Sequence, residues 1–263
     1  MPSYTATGIT LLARKYKGTE RIATFLTRER GKVEAAVSGV GKPGSKLAPA
    51  VEPFTLSRLQ LSEGRNLDRL TQCEVVEAYY PLRTDLHRLA LASYAAELVL
   101  QTTEPGRPEP EAFDLLQATL SALVDCHQPE LVTWAFALRY LCLSGIGAVV
   151  DCCVGCGNEL QGTSSYLAPL GGCVCRDCAG PAPGGVEVSA QSRAAMKTMQ
   201  SLKPARLDRL RLSPGTLGEV RRLLRRHIRY HLGVDLKSET FLEKMGRAEA
   251  RASRSDNGNG TIP

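Results

Sequence analysis

The sequence predicts an α+β, multidomain chain: an N-terminal OB-type β-barrel, an all-helical domain, and a four-cysteine module inserted into the helices. Three observations carry this reading. The first 80 of 263 residues hold short, partly alternating apolar segments set between turn signals. After Pro81 the apolar residues recur every three or four positions instead. Residues 151–186 then break both periods and contain six of the nine cysteines.

Taken in order, residues 22–27 (IATFLT), 33–37 (VEAAV) and 54–61 (FTLSRLQL) read as strands, with turns at Lys17-Gly18, Arg30-Gly31 and Glu63-Gly64. About five short strands in so small a segment fit an OB-type barrel most economically. Residues 38–45 (SGVGKPGS) form a Gly/Pro-rich loop. It is no phosphate-cradling P-loop, because Pro43 stands where Gly41-Lys42 would need a following Ser or Thr. Residues 86–101 then read as an Ala/Leu-rich helix, broken by EPGRPEP at 104–110. A second helix spans 113–124, and a third begins at Pro129 and runs through Trp134 to Leu143. These helices are apolar nearly all round, as buried helices are. Helices resume at Ser189, and Ser213-Pro214 supplies an N-cap followed by proline at the first helical position. Residues 247–263 are polar and Gly/Asn-rich and are expected to be disordered. The expected boundaries are thus 1–80 for the barrel, 81–150 with 187–246 for the helical domain, 151–186 for the module and 247–263 for the tail.

Apolar residues at 43% and charged residues at 23% describe an ordinary globular chain. No apolar run reaches the roughly 18–20 residues of a membrane span, and the start, MPSYTATGITLLARKYKG, lacks the order of a signal peptide. A cytoplasmic location with reduced cysteines and no membrane partner is therefore expected. Charge is unevenly placed: net +4 over residues 1–80, −7 over 81–192 and +9 over 193–263. Two basic ends around an acidic middle point to a polyanionic partner.

Cys153-Val-Gly-Cys156 and Cys175-Arg-Asp-Cys178 are two C-x2-C knuckles separated by 18 residues. Each knuckle aims two thiolates at one spot, and two knuckles complete the tetrahedral sulfur shell that suits one structural zinc ion. Cys152 and Cys173 allow the alternative spacings C-x3-C and C-x4-C; the x2 pairs are preferred because both then share one geometry. A closed shell leaves no position for a reacting water, and none of His87, His127, His227 or His231 begins the H-x-E element of a zinc deaminase. No enzymatic activity is expected. His227 and His231, four apart, lie with Val220 and Leu224 on the apolar side of their helix and read as packed core residues rather than a metal pair.

On that helix Leu217, Val220, Leu224, Ile228 and Leu232 form one apolar stripe. Arg222, Arg225, Arg226 and Arg229 fall opposite, with only Glu219 as a nearby acid, while Arg221 lands at the stripe's edge. Near the N-terminus Arg14, Lys15, Lys17, Arg28, Arg30, Lys32, Lys42 and Lys46 gather in turns and in the glycine loop, where OB barrels meet oligonucleotides. Both sets are candidate DNA-binding residues.

The order of GITLLARKYKG, FLTRERGKVEAAVSGVGKPGS, FALRYLCLSGIG, DCCVGCG…GGCVCRDC and HLGVDLKSETFL resembles the RecO family of bacterial recombination mediators, to about residue 245. The resemblance implies an OB fold, a helical domain and a zinc module with ligands at Cys153, Cys156, Cys175 and Cys178. It also implies binding to single- and double-stranded DNA, strand annealing, and nucleoid association in the cytoplasm. With RecR as partner, such proteins help load recombinase onto strands covered by single-stranded-DNA-binding protein, whose acidic C-terminal tail docks on the helical domain. Arg139, in the FALRYL segment, is then either a contact for that tail or a buried structural arginine. The alternative function is a zinc-ribbon scaffold that assembles protein complexes without touching DNA; a zinc-dependent nucleic-acid enzyme is disfavoured by the closed shell.

Overall fold

The computed structural model describes residues 2–180 and 185–257. Strands β1 (Ser3–Lys15), β2 (Arg21–Thr27), β3 (Gly31–Val37), β4 (Leu56–Ser62) and β5 (Asp68–Glu77) close into a barrel in the order β1-β2-β3-β5-β4. Closure is possible because β1 is long. Its first half pairs with β4, its second half with β2, and an irregularity between Thr10 and Leu12 bends it from one to the other. A short parallel pairing of β3 with β5 completes the ring. A single 3-10 turn, Ala48–Val51, plugs one end, with Ala50 fully buried and its carbonyl accepting from the Thr10 hydroxyl at 3.1 Å.

The alternation of the strands serves two cores. Ala23, Phe25, Ala35, Val37, Leu59 and Leu61 fill the barrel. Ile9, Leu11, Leu26 and Leu56 face outward into the apolar core of the helices. That core is built by α1 (Pro81–Thr84), α2 (Leu86–Thr102), α3 (Pro110–Asp125) and α4 (Pro129–Leu143). Asp85 caps α2 by accepting from the backbone of His87 and Arg88. As the all-round apolar pattern requires, α4 is buried on nearly every side, from Leu131 to Leu141, and Trp134 meets Tyr94 edge-on at 5.1 Å.

Residues 151–183 show almost no helical or strand period in the sequence. They nevertheless carry β6 (Ser164–Leu167), β7 (Gly172–Val174) and the one-turn helix α5 (Arg176–Ala179), and with β8 (Val186–Val188) they make a sheet of order β7-β6-β8. Strands of three or four residues are too short to show a period in sequence. Residues 181–184 of this stretch lie outside the described residues.

Three helices close the chain: α6 (Ala190–Ser201), α7 (Pro214–Leu232) and α8 (Lys237–Asn257). Ser189 and Ser213 cap the first two through the backbone N–H groups of Ser192 and Thr216. Helix α8 runs on to Asn257, into the segment 247–263 that the sequence reading leaves as a disordered tail. Ala, Glu and Arg, all good helix formers, dominate RAEARASR. Residues 258–263 of the expected tail lie outside the described residues.

The barrel is seated on the helices at several points. Arg28 pairs with Asp114 of α3. The Lys32 ammonium donates to the Leu100 carbonyl at 3.1 Å, and the Lys32 carbonyl accepts from the Gly106 N–H. Arg83 donates to the Pro53 carbonyl at 2.8 Å. Gly31, at φ +66°, comes so close to the Arg107 carbonyl that a Cβ would stand 1.8 Å from its oxygen.

Candidate metal centre and nucleic-acid interface

The metal centre is assembled from two ends of the module. Cys153 and Cys156 sit on a tight turn closed by the Gly157 N–H donating to the Cys153 carbonyl at 2.8 Å, with Gly157 at φ +76°. Cys175 and Cys178 sit at the start and within α5. The four sulfurs all lie within 4.8 Å of one another, and Cys156 and Cys175 approach to 3.9 Å. A tetrahedron with metal–sulfur bonds of about 2.3 Å has edges of roughly 3.8 Å, so the donor set fits a tetrahedral thiophilic ion with little adjustment.

The electrostatics of the cluster favour the same use. The Cys175 backbone N–H points at the Cys153 sulfur at 3.3 Å and, as the main cause, draws that thiol down to about 6. Cys178 is pushed up to about 12, first by its hydrogen bond with Cys175 and then by those with Cys156 and Cys153. One thiolate can thus form among thiols that would repel further negative charge, and a divalent cation lifts that limit.

Neither remaining cysteine of the module belongs to this group. Cys173 lies in β7 with its side chain in the apolar core, where burial raises its thiol. Cys152 pairs through its backbone with Glu159 in an isolated bridge.

The module is latched to α7. The Tyr166 hydroxyl of β6 bonds to His227 Nδ1, and His227 Nε2 meets the Ile146 carbonyl at 2.5 Å. A carbonyl only accepts, so Nε2 carries the proton and Nδ1 takes the tyrosine's. Burial is the main cause that pushes His227 down to about 4, so it is a neutral core residue. His231 packs against it with ring centres 4.3 Å apart.

The candidate DNA-binding residues divide into paired and open cations. In the barrel, Arg14 faces Glu34 at 3.6 Å and Arg30 faces Glu63 at 2.9 Å while stacking 3.9 Å over the Tyr4 ring. Arg28 and Lys32 join the barrel to the helices, as above. Lys15, Lys17, Lys42 and Lys46 are exposed and form no ion pair among the described residues. Arg30 and Lys32 also line a cleft of about 800 Å³ between the barrel and the loop at 105–108. Arg65, unnoticed in the sequence because it is an isolated charge in a turn, lines the same cleft.

On α7 the expectation that Glu219 is the only nearby acid is corrected. The fold brings Glu239 to Arg221 at 2.8 Å, Glu243 to Arg225, and Asp235 to Arg229 at 3.7 Å. These acids follow the helix by turns that only the packing of α8 defines. Glu219 itself is taken up by the Ser189 N–H and hydroxyl. Arg222 and Arg226 stay exposed and outside these ion pairs. Arg139 is half-buried and donates to the Leu202 carbonyl at 2.8 Å.

Among the described residues, no helix is long and apolar enough to cross a membrane. Residues 1–79 match the family described as Recombination protein O N terminal, and residues 83–240 match Recombination protein O C terminal. The DNA repair protein RecO of Pelotomaculum thermopropionicum is 38% identical over 97% of this chain and all of its own length. Those of Moorella thermoacetica and Symbiobacterium thermophilum are 37% and 35% identical, over 92% and 94% of this chain and 91% and 100% of their own. A barrel, helices and four-cysteine module that match along almost the whole length place this chain in the RecO family.

Proposed function

We propose that the chain is a DNA-binding mediator of recombinational repair that binds and anneals single strands. With RecR it helps load recombinase onto strands covered by single-stranded-DNA-binding protein, and the acidic tail of that protein docks on its helical part. The observation that carries the reading is the pair of open basic surfaces, on the barrel turns (Lys15, Lys17, Lys42, Lys46) and on α7 (Arg222, Arg226), borne by one interlocked frame. Two strands repel along their phosphates, so bringing them together needs counter-charge rather than covalent chemistry. Base pairing and stacking then supply the driving free energy. The names of the relatives, DNA repair protein RecO, support the same role. One zinc ion, held by Cys153, Cys156, Cys175 and Cys178, would be structural: four thiolates fill its tetrahedron and hold the two ends of the module together.

The test is a fluorescence annealing assay with complementary oligonucleotides over a salt series. Acceleration without ATP that falls steeply with salt is expected, together with loss of acceleration in both the Lys42→Glu/Lys46→Glu and the Arg222→Glu/Arg226→Glu variants. Absence of DNA binding by the intact protein at low salt would favour the zinc-ribbon scaffold.

A further inference from the structure

The arginines of α7 lie in two rows, each stepping four residues along the helix. Arg221, Arg225 and Arg229 turn toward α8 and the loop before it, and each ends on a carboxylate there. The adjoining row is Arg222, Arg226 and Tyr230, and it leads away from those acids. Its two arginines are exposed and form no ion pair among the described residues, although the Arg222 charge also acts on Glu219 one turn back, and Tyr230, one turn further on, leaves 55% of its surface in water. What sets this exposed ring apart is its place: it continues a row of open guanidiniums, and an aromatic face beside phosphate-binding cations is the arrangement on which unstacked bases settle.

Tyr230 is also held in position. Its ring meets His231 nearly perpendicular at 5.2 Å, and His231 lies 4.3 Å from the buried His227. The three rings run from the core to the surface, so Tyr230 presents a ring whose freedom is already reduced. A platform ordered in advance loses less entropy when something settles on it.

Resting on the DNA-binding role proposed above, we infer that this row is a track for one unpaired DNA strand, with Arg222 and Arg226 on successive phosphates and Tyr230 under a base. The row covers about 12 Å, two turns and a fraction of helix at 1.5 Å per residue, enough for a short stretch of extended strand. Two guanidiniums alone would take single strands and duplex alike, since both present phosphates. The ring discriminates. A base can lie on Tyr230 only after leaving its stack, at no pairing cost in a single strand and at the cost of an opened base pair in duplex. The α7 face is therefore selective for single strands, and Arg225 and Arg229, though neighbours, turn instead to Glu243 of α8 and Asp235 of the loop before it.

Binding of a single-stranded oligonucleotide carrying 2-aminopurine, and of its duplex, tests this with the full chain. Tyr230→Ala should weaken single-strand binding roughly 5- to 100-fold and abolish the change in probe fluorescence, with duplex affinity unchanged. Tyr230→Phe should restore both, because the ring and not the hydroxyl is used. Arg222→Ala/Arg226→Ala should lower the single-strand salt slope by roughly 1.4. If the intact protein binds DNA but Tyr230→Ala behaves like it, the track is overturned and the ring belongs to a protein contact. Equal loss for single strands and duplex overturns the selectivity. An intact protein that binds neither form sinks the DNA role itself and the track with it.

Discussion

At the scale of single residues, the ligand set separates cysteines that look alike in sequence. Cys153→Ser or Cys178→Ser should release the metal and loosen the module, since binding energy in such a site is also local folding energy. Cys152→Ser and Cys173→Ser should keep it, although the second buries a hydroxyl in apolar surroundings and lowers the melting temperature. Metal analysis beside thermal melting distinguishes the two classes, and zinc lost from all four variants alike would refute the assignment. His227 gives a second residue-level expectation. Its value of about 4 in the folded chain lies below the 6.5 of the unfolded one, so between those values the unfolded chain binds the extra proton. Its contribution is complete above pH 6.5 and is lost as pH falls toward 4, by about 3 kcal/mol in all. Melting from pH 7 to 4 should fall more steeply in the wild type than in His227→Gln. The two C-x2-C spacings and the apolar placement of His227 were legible in sequence, because each is local. The acids that engage Arg221, Arg225 and Arg229, and the Tyr166 hydroxyl 61 residues from His227, were not. Those partners exist only once distant segments have packed.

At the scale of elements, caps and periodicity read well where an element is long. Pro129, Ser189 and Ser213-Pro214 each mark a helix start, and the five strands of the barrel follow their turn signals. The β7-β6-β8 sheet was missed because strands of three or four residues carry too few side chains to show a period. The start of α8 has no local signal either. Asp235 and Leu236 precede it, and its cap comes from Glu97 of α2, whose carboxylate accepts from the Lys237 and Ser238 N–H groups at 2.9 Å and the Ser238 hydroxyl at 2.6 Å. Glu97→Ala should cost about 1–2 kcal/mol and raise amide exchange in the first turn of α8, while Glu97→Gln should retain much of the stability. Unchanged exchange in the alanine variant would show that packing alone holds the helix start.

At the scale of the whole molecule, the charge asymmetry of the sequence becomes a spatial division of labour. Arg28 and Lys32, counted among the basic residues of the barrel, also join it to the helices, while the lysines of the turns remain open. The closest junction is Gly31. Gly31→Ala combines an unfavourable positive φ with a steric collision against the Arg107 carbonyl, so it should lower stability by at least about 1–2 kcal/mol and expose the 103–109 loop to protease. An alanine variant as resistant as the wild type would mean that the junction yields freely. The seat at Gly31 also has a mechanical consequence. A turn with no room for a methyl group, braced by Arg28, Lys32 and Arg83, opposes hinge motion between barrel and helices. The spacing between the lysines of the barrel and the arginines of α7 is then a fixed dimension of the protein. Under the annealing role proposed above, the molecule would act as a gauge rather than a clamp, with the strands adjusting to it.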